Sequence, residues 1–115
     1  MHELSIALSL IEGVLEEVEK QGGVHVQAVH LKLGVFSGVD KDALEFSYGI
    51  ACEGTPLAGS HLVIEQVPVM IFCPSCGTER IVASMQQLCC PDCQTPAGDI
   101  VRGRELEITA LEVSD

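Results

Sequence analysis

The sequence predicts an α+β fold in which two helices accompany a three-stranded mixed sheet, with a small cysteine-rich lobe inserted before the last strand. Apolar residues recur with helical spacing in two segments and alternate with strand spacing in three others. Five of the six cysteines fall between positions 73 and 97. With 115 residues, 47% of them hydrophobic, the chain is long enough to bury one ordinary core.

The first helix is expected at residues 4–21. Apolar side chains on one face are three and four residues apart, at Leu4, Ala7, Leu8, Ile11, Val14, Leu15 and Val18. The pair Gly22-Gly23 predicts the end of this helix, because glycine adopts the left-handed conformation that commonly follows a helix.

Strands are expected at residues 24–36, 61–67 and 100–113, where apolar and polar residues alternate. Valines at both parities of the first strand predict a bulge or bend near Ala28. The second helix should begin after Asp40, a favourable N-cap residue.

Two C-x-x-C pairs, Cys73/Cys76 and Cys90/Cys93, predict a metal site in the lobe. Two intervening residues let both sulfurs of a pair face one ion, and two pairs complete a tetrahedral four-cysteine site of the zinc-ribbon kind. No ligand position is left open, so a structural zinc is expected. Such a lobe cannot build a core alone, and the metal should supply folding free energy. Residues 73–98 are therefore predicted to form a zinc-binding domain.

Other uses of the cysteines remain open at this point. No export signal is visible, so metal-bound thiolates are favoured over disulfides. Iron in place of zinc, as in rubredoxin-like electron carriers, is an alternative. Cys89 is an alternative ligand to Cys90, although three residues would then separate it from Cys93. Cys52 is expected in the core as a small hydrophobe.

The charge balance restricts the class of partner. Six Lys and Arg against 17 Asp and Glu give a net charge of −11, which argues against nucleic-acid binding. An acidic surface suits a protein that handles cations or docks a basic protein face. No apolar run approaches the ~18 residues of a membrane helix, so a cytoplasmic location is expected.

The start of the chain, Met1-His2-Glu3, is a candidate for a second metal site. The terminal amine, the backbone nitrogen of His2 and its imidazole can close fused rings around one ion, and the amide of Glu3 can complete a square plane. Square-planar nitrogen coordination is typical of Ni(II) or Cu(II). A solvated terminal histidine without a ligand role is the alternative on these residues alone.

Met1-His2-Glu3, an amphipathic first helix, the stretch Gly34-Val35-Phe36-Ser37 and the late C-x-x-C pairs together resemble the HypA/HybF family of hydrogenase-maturation nickel chaperones. The resemblance covers essentially the whole chain. It implies that residues 1–72 and 99–115 form a nickel-binding α/β domain, with nickel held by the Met1 amine, His2 and the backbone of Glu3. Asp40 occupies the position of a carboxylate that lies near the nickel in some members, and helix capping is its alternative role. The resemblance also implies structural zinc on Cys73, Cys76, Cys90 and Cys93.

The function implied is a metallochaperone that delivers Ni(II) to the precursor of a [NiFe]-hydrogenase large subunit. The resemblance implies a HypB-type GTPase partner, and the chain itself lacks a G-x-x-x-x-G-K-[ST] loop. It shows no nucleophile–base pairing, so it is not expected to be an enzyme. The alternative function is a zinc-ribbon adaptor without a transferable metal. Either a monomer or a homodimer is compatible with the sequence.

The sequence departs from part of the family in its histidines. Some members carry a histidine beside the zinc cysteines, whereas here none follows His61. Coupling of the two metal sites through an imidazole is therefore not available. His25, His30 and His61 are expected on solvated strand faces or loops.

Overall fold

A computed structural model describes residues 2–82 and 88–114 and confirms the α+β class. Its helices are α1 (Glu3–Lys20) and α2 (Lys41–Cys52). The strands of the described residues are, in chain order, β1 (His25–Gly34), β2 (His61–Val67), β3 (Met70–Cys73), β4 (Thr78–Ile81), β5 (Asp99–Arg102) and β6 (Leu106–Ser114). One sheet is mixed and has the strand order β2-β1-β6, and a second sheet has the order β4-β3-β5.

The chain divides into two compact units. One is built from the described parts of Met1–Leu31, Val39–Glu65 and Glu107–Asp115, and the other from those of Lys32–Gly38 and Gln66–Leu106. The functional assignment of a nickel-binding and a zinc-binding domain stays a prediction. Neither helix is long and apolar enough to cross a membrane, as far as the described residues go.

The helix predicted at the start of the chain is confirmed as α1. Its buried residues are Ala7, Ile11 and Val14, on the face that the apolar spacing indicated. The helix ends at the glycine pair as predicted. Gly22 and Gly23 have φ of 83° and 86°, and the Gly23 N–H donates to the carbonyl of Val18 at 2.9 Å. Such positive φ values favour glycine, which explains why two glycines follow this helix.

The second helix also begins where the sequence predicted. Asp40 is the N-cap of α2, and its Oδ1 accepts a hydrogen bond from the backbone N–H of Ala43 at 2.9 Å. The helix buries Leu44, Tyr48 and Cys52 against α1 and the sheet, so the prediction of Cys52 as a core residue is confirmed. The core of this unit consists of Ala7, Ile11, Val14, Val26, Val29, Leu31, Leu44, Tyr48, Cys52 and Leu57.

Strand β1 changes the face that it buries, as the valines at both parities predicted. Val26 and Ala28 are buried at one parity, and Val29, Leu31 and Leu33 at the other. The adjacent residues Ala28 and Val29 are both buried, so the buried face of the strand changes between these two residues.

The prediction of one continuous last strand over residues 100–113 is wrong. The segment contains two strands in different sheets, β5 and β6, and Gly103 lies between them with a φ of 118°. A Cβ on Gly103 would lie 2.9 Å from Cα of Val69, so there is no room for a side chain. Apolar alternation continues on both sides of this glycine, and periodicity alone therefore does not reveal the break.

The lobe is more regular than the sequence indicated. Strand β3 pairs antiparallel with β4 and with β5, and Ile71 lies opposite Arg80 on one side and Ile100 on the other. Each of these strands has only four residues, which is too short for a periodic signal to stand out.

Candidate metal sites

The first C-x-x-C pair lies in the turn of the β3–β4 hairpin. Gly77 donates its backbone N–H to the carbonyl of Cys73 at 2.8 Å, and the N–H of Cys76 points at the sulfur of Cys73 at 3.3 Å. Gly77 has a φ of 69°, which a glycine adopts without steric cost. The tight turn thus places both sulfurs on its inner side and directs a backbone N–H at one of them.

The second pair repeats this turn without a glycine. The N–H of Gln94 donates to the carbonyl of Cys90 at 2.8 Å, and Gln94 takes the same place after its pair as Gly77 after the first. Gln94 has a φ of 63°, and among the described residues no other non-glycine residue has a positive φ. The turn is closed further by the N–H of Cys90, which donates to the carbonyl of Thr95 at 2.9 Å.

The two turns bring four sulfurs together. The Sγ atoms of Cys73, Cys76, Cys90 and Cys93 all lie within 4.8 Å of one another. The Cys73–Cys93, Cys76–Cys93 and Cys76–Cys90 separations are 3.4, 3.6 and 4.0 Å. A tetrahedron with metal–sulfur bonds of about 2.3 Å has edges of about 3.8 Å, so the four sulfurs fit a zinc ion. All six cysteines are free thiols, and Cys89 is not part of the cluster.

Hydrogen bonds within the cluster hold its thiols at unequal pKa values. The hydroxyl and the backbone N–H of Thr95 lower the pKa of Cys93 to about 6. The pKa of Cys90 is also lowered, first by the backbone N–H of Cys93. Hydrogen bonds with Cys93 and Cys73 instead raise the pKa of Cys76 to about 12. Binding of a divalent cation requires the thiolate forms, so metal binding would release the remaining thiol protons.

The structure adds two residues to this site that the motif did not indicate. Thr95 Oγ1 lies 3.1 Å from the sulfur of Cys93 and donates to Ser75 Oγ at 3.0 Å, which joins the two turns. Arg80 Nε lies 2.9 Å from Oδ2 of Asp92. In the sequence, Asp92 is one of the two residues between Cys90 and Cys93. The sequence offers one signal for Arg80. Basic residues are rare in this acidic chain, and this arginine follows Cys76 by four residues.

The predicted nickel residues lie at the start of α1 and of α2. His2 is the N-cap residue of α1 and is exposed, and Met1 lies outside the described residues. Glu3 is in the first helical turn, and its Oε2 accepts a hydrogen bond from the backbone N–H of Asp40 at 3.2 Å. The structure thus brings Glu3 and Asp40 together, although 37 residues separate them.

The side chains of His2, Glu3 and Asp40 do not form a compact ligand set in the described part of the chain, where the four cysteines are the one group of that kind. His2 lies outside the helix and is exposed, so its imidazole can reorient without disturbing packed residues.

The other histidines are placed as the sequence indicated, with one difference. His25 and His61 are exposed at the starts of β1 and β2. His30 is only partly exposed, and its Nε2 lies 3.5 Å from Oε1 of Glu112. The difference arises because β6 lies beside β1 and brings Glu112 over the imidazole.

Comparison with known proteins agrees with these features. Residues 1–113 match the family model HypA, described as "Hydrogenase/urease nickel incorporation, metallochaperone, hypA". The hydrogenase maturation factor HypA of Chloroflexus aurantiacus is 49% identical over 112 residues, which is 97% of this chain and 98% of that protein. The corresponding factor of Roseiflexus sp. is 44% identical over 115 residues, or 100% of this chain and 94% of that protein.

Solved structures show the same fold. The solution structure of the Ni metallochaperone HypA from Helicobacter pylori has a TM-score of 0.66 and 24% identity, covering 98% of this chain and 97% of that one. A second solution structure of a HypA protein has a TM-score of 0.72 and 23% identity, covering 99% and 97%. Sequence and fold agree, and the chain belongs to the HypA family of hydrogenase/urease nickel-incorporation metallochaperones.

Proposed function

We propose that this chain binds Ni(II) at the start of α1 and delivers it to the precursor of a [NiFe]-hydrogenase large subunit. The observation that carries the proposal is the hydrogen bond from the backbone N–H of Asp40 to Oε2 of Glu3, which brings Asp40 to the residue that follows the exposed His2. The proposed ligands are the Met1 amine, His2 and the backbone of Glu3, with the carboxylate of Asp40 near them.

The chemistry of a helix start supports this assignment. The first backbone N–H groups of a helix have no intrahelical acceptor, so the amide nitrogens of His2 and Glu3 are not needed for the helix itself. The positive end of the helix dipole disfavours a bound cation there. Two carboxylates, Glu3 and Asp40, offset this repulsion. Nitrogen donors in one plane with oxygen nearby suit Ni(II) better than zinc.

Transfer of the metal requires a site that can release it. His2 is exposed, so an acceptor protein can reach the proposed nickel ligands. Protonation of an imidazole and an amine competes with metal binding, and nickel affinity should therefore fall on mild acidification.

Cys73, Cys76, Cys90 and Cys93 would hold a structural Zn²⁺. Their four sulfurs, which all lie within 4.8 Å of one another, support this part of the proposal, as does the absence of an open ligand position in a set of four thiolates. A bound zinc would supply folding free energy to the lobe. The chain's own residues prepare the site through the two tight turns and the N–H groups that point at the sulfurs.

The proposed partners are a HypB-type GTPase, which would supply the nucleotide hydrolysis, and the hydrogenase precursor. A cytoplasmic location and a non-catalytic role belong to the same proposal. The net charge of −11 supports partners with basic faces.

Calorimetric titration of nickel into untagged, zinc-loaded chain tests the proposal. His2→Ala should lower nickel affinity strongly, whereas His25→Ala, which also removes an exposed histidine, should leave it unchanged. A tag that blocks the amine of Met1 should act like His2→Ala while the zinc content stays at one per chain. Equal nickel affinity in the wild-type chain and the His2→Ala variant would overturn the proposed nickel site. One zinc per chain without any nickel preference would favour the alternative, a zinc-ribbon adaptor with no transferable metal.

A further inference from the structure

Arg80 lies on the face of the lobe's sheet that carries the metal site. It is on β4, directly after the first C-x-x-C turn, and pairs across the ladder with Ile71. Directly paired residues project to the same face, and so do residues two apart along a strand, such as Ile71 and Cys73. Ile71 and Cys73 are both fully buried. Arg80 therefore projects toward the sulfur side of the sheet.

The guanidinium of Arg80 links the strand that follows the first C-x-x-C turn to Asp92 of the second turn. Nε is shielded from solvent and forms an ion pair with Oδ2 of Asp92 at 2.9 Å. Burial lowers the pKa of Arg80, but the charge of Asp92 and interactions with the sulfurs of Cys76 and Cys90 together raise it. One cation thus joins the first hairpin to a carboxylate of the second turn, on the face of the sheet that also carries Cys73.

Charge explains why such a contact matters. Four thiolates around a divalent ion carry a net charge of −2, in a chain that already has −11. Cys73 and Cys90 are fully buried, so water solvates this charge incompletely. An arginine is suited to the position because its planar fork presents several donors at fixed angles.

We propose that Arg80 is a positioning residue of the metal site, which neutralises thiolate charge and joins the two C-x-x-C turns so that the bound ion is retained. This inference rests on the zinc site of the proposed function. The alternative is a solvent-exposed ion pair with Asp92 that contributes almost nothing, as many surface pairs do. Asp92 is 64% exposed in its side chain, so removal of Arg80 leaves no buried unpaired charge and the variant should fold.

The rate at which the zinc-loaded chain loses zinc to an excess of a chelating dye tests the proposal. Replacement of residues that support metal ligands typically costs about 10- to 100-fold in affinity, and Arg80→Met should accelerate release by a factor in this range. Arg80→Lys, which keeps the charge but not the fork, should fall between the wild type and Arg80→Met. Arg102→Met is the matched control, because it removes another arginine of the same sheet, one that pairs with Glu79 at 3.8 Å, and it should leave the release rate unchanged.

A spectrum of the Co(II)-substituted chain supplies a second readout that a purely structural role would not change. A cation beside the sulfurs stabilises their electrons, so Arg80→Met should move the sulfur-to-cobalt charge-transfer band to lower energy, and Arg80→Lys should restore part of the shift. If Arg80→Met released zinc at the wild-type rate and its charge-transfer band did not shift, the proposed role of Arg80 would be overturned. The proposed zinc site would not be affected by that result. A wild-type chain that held neither zinc nor Co(II) on its cysteines would overturn the proposed zinc site as well.

Discussion

The carboxylate of Glu3 accepts a hydrogen bond from the backbone N–H of Asp40, with Oε2 and N 3.2 Å apart. Asp40 in turn uses its own carboxylate to cap α2 through the N–H of Ala43. The start of α1 and the start of α2 are therefore joined by two acidic residues that both have structural partners. A nickel ligand role for either residue has to be separated from these structural roles by substitution.

Substitution of Asp40 can separate capping from metal binding. Asp40→Ala should destabilise the chain by about 1 kcal/mol, since an N-cap is lost, whereas Asp40→Asn keeps a capping oxygen and should cost little. Urea unfolding of the zinc-loaded chain measures both. If Asp40 supports nickel binding, Asp40→Asn should still weaken it, and Asp42→Asn, an equal change of charge in the first turn of α2, should not. Wild-type nickel affinity in Asp40→Asn would leave Asp40 as a cap only.

Tyr48 should make the stability of the core depend on alkaline pH. Its hydroxyl donates to Ser60 Oγ at 2.7 Å, because the hydrogen of Ser60 is used on the carbonyl of Leu57. Burial is the main cause that raises the pKa of Tyr48 from 10 to about 12. Folding thus favours the neutral phenol, and the corresponding stability is present below pH 10 and lost between pH 10 and about 12.

The phenolate absorbance reports on Tyr48 directly, because it is the one tyrosine of the sequence. Tyr48→Phe should cost about 1 kcal/mol near neutral pH through the lost hydrogen bond. The same variant should lose less stability than the wild type as the pH rises above 10. An ordinary tyrosine titration in the folded chain would contradict the assigned burial.

Adjacent cysteines should differ in their effect on zinc. Cys90→Ser should abolish stable zinc retention, because the sulfur of Cys90 belongs to the four-atom cluster, and Cys89→Ser should keep one zinc per chain. Metal analysis after dialysis measures this. Removal of zinc from the wild-type chain with a chelator should shift the amide resonances of Gly77 and Gln94, whose turns enclose the sulfurs. Loss of zinc in Cys89→Ser instead would show that Cys89 replaces its neighbour.

Gly34 should not tolerate any side chain. A Cβ at this position would overlap the carbonyl oxygen of Gly103, and the N–H of Phe36 donates to that same carbonyl at 2.6 Å. Gly34→Ala should therefore destabilise the chain by roughly 1–3 kcal/mol, as overpacking in a core does. Gly13→Ala is the control, because nothing lies within 4 Å of its Cβ position.

Helix propensity should make Gly13→Ala slightly stabilising, by about 1 kcal/mol. Thermal unfolding of both variants in the zinc-loaded form measures the difference. Equal melting temperatures of Gly34→Ala and the wild type would contradict the close approach of the two backbones.

Much of the fold and of the cysteine site was predictable because the signals are local. The three-and-four spacing of apolar residues predicted α1, and the pair Gly22-Gly23 predicted its end. The capping side chain of Asp40 predicted the start of α2. The spacing of the two C-x-x-C pairs similarly identified the four sulfurs that come together. Each helix signal and each C-x-x-C pair depends on residues within one or two turns of one another, so the order of residues in the chain is sufficient to recognise it.

The sequence by itself determined the two helices, the first two alternating strands and the metal-ligating chemistry, since backbone periodicity and ligand type are properties of short segments. Only the tertiary structure decided that residues 100–113 divide between two sheets, that Arg80 reaches the second cysteine pair, and that Glu3 lies against Asp40. These relationships join positions far apart in the chain, and they depend on how elements pack rather than on the preference of any one segment.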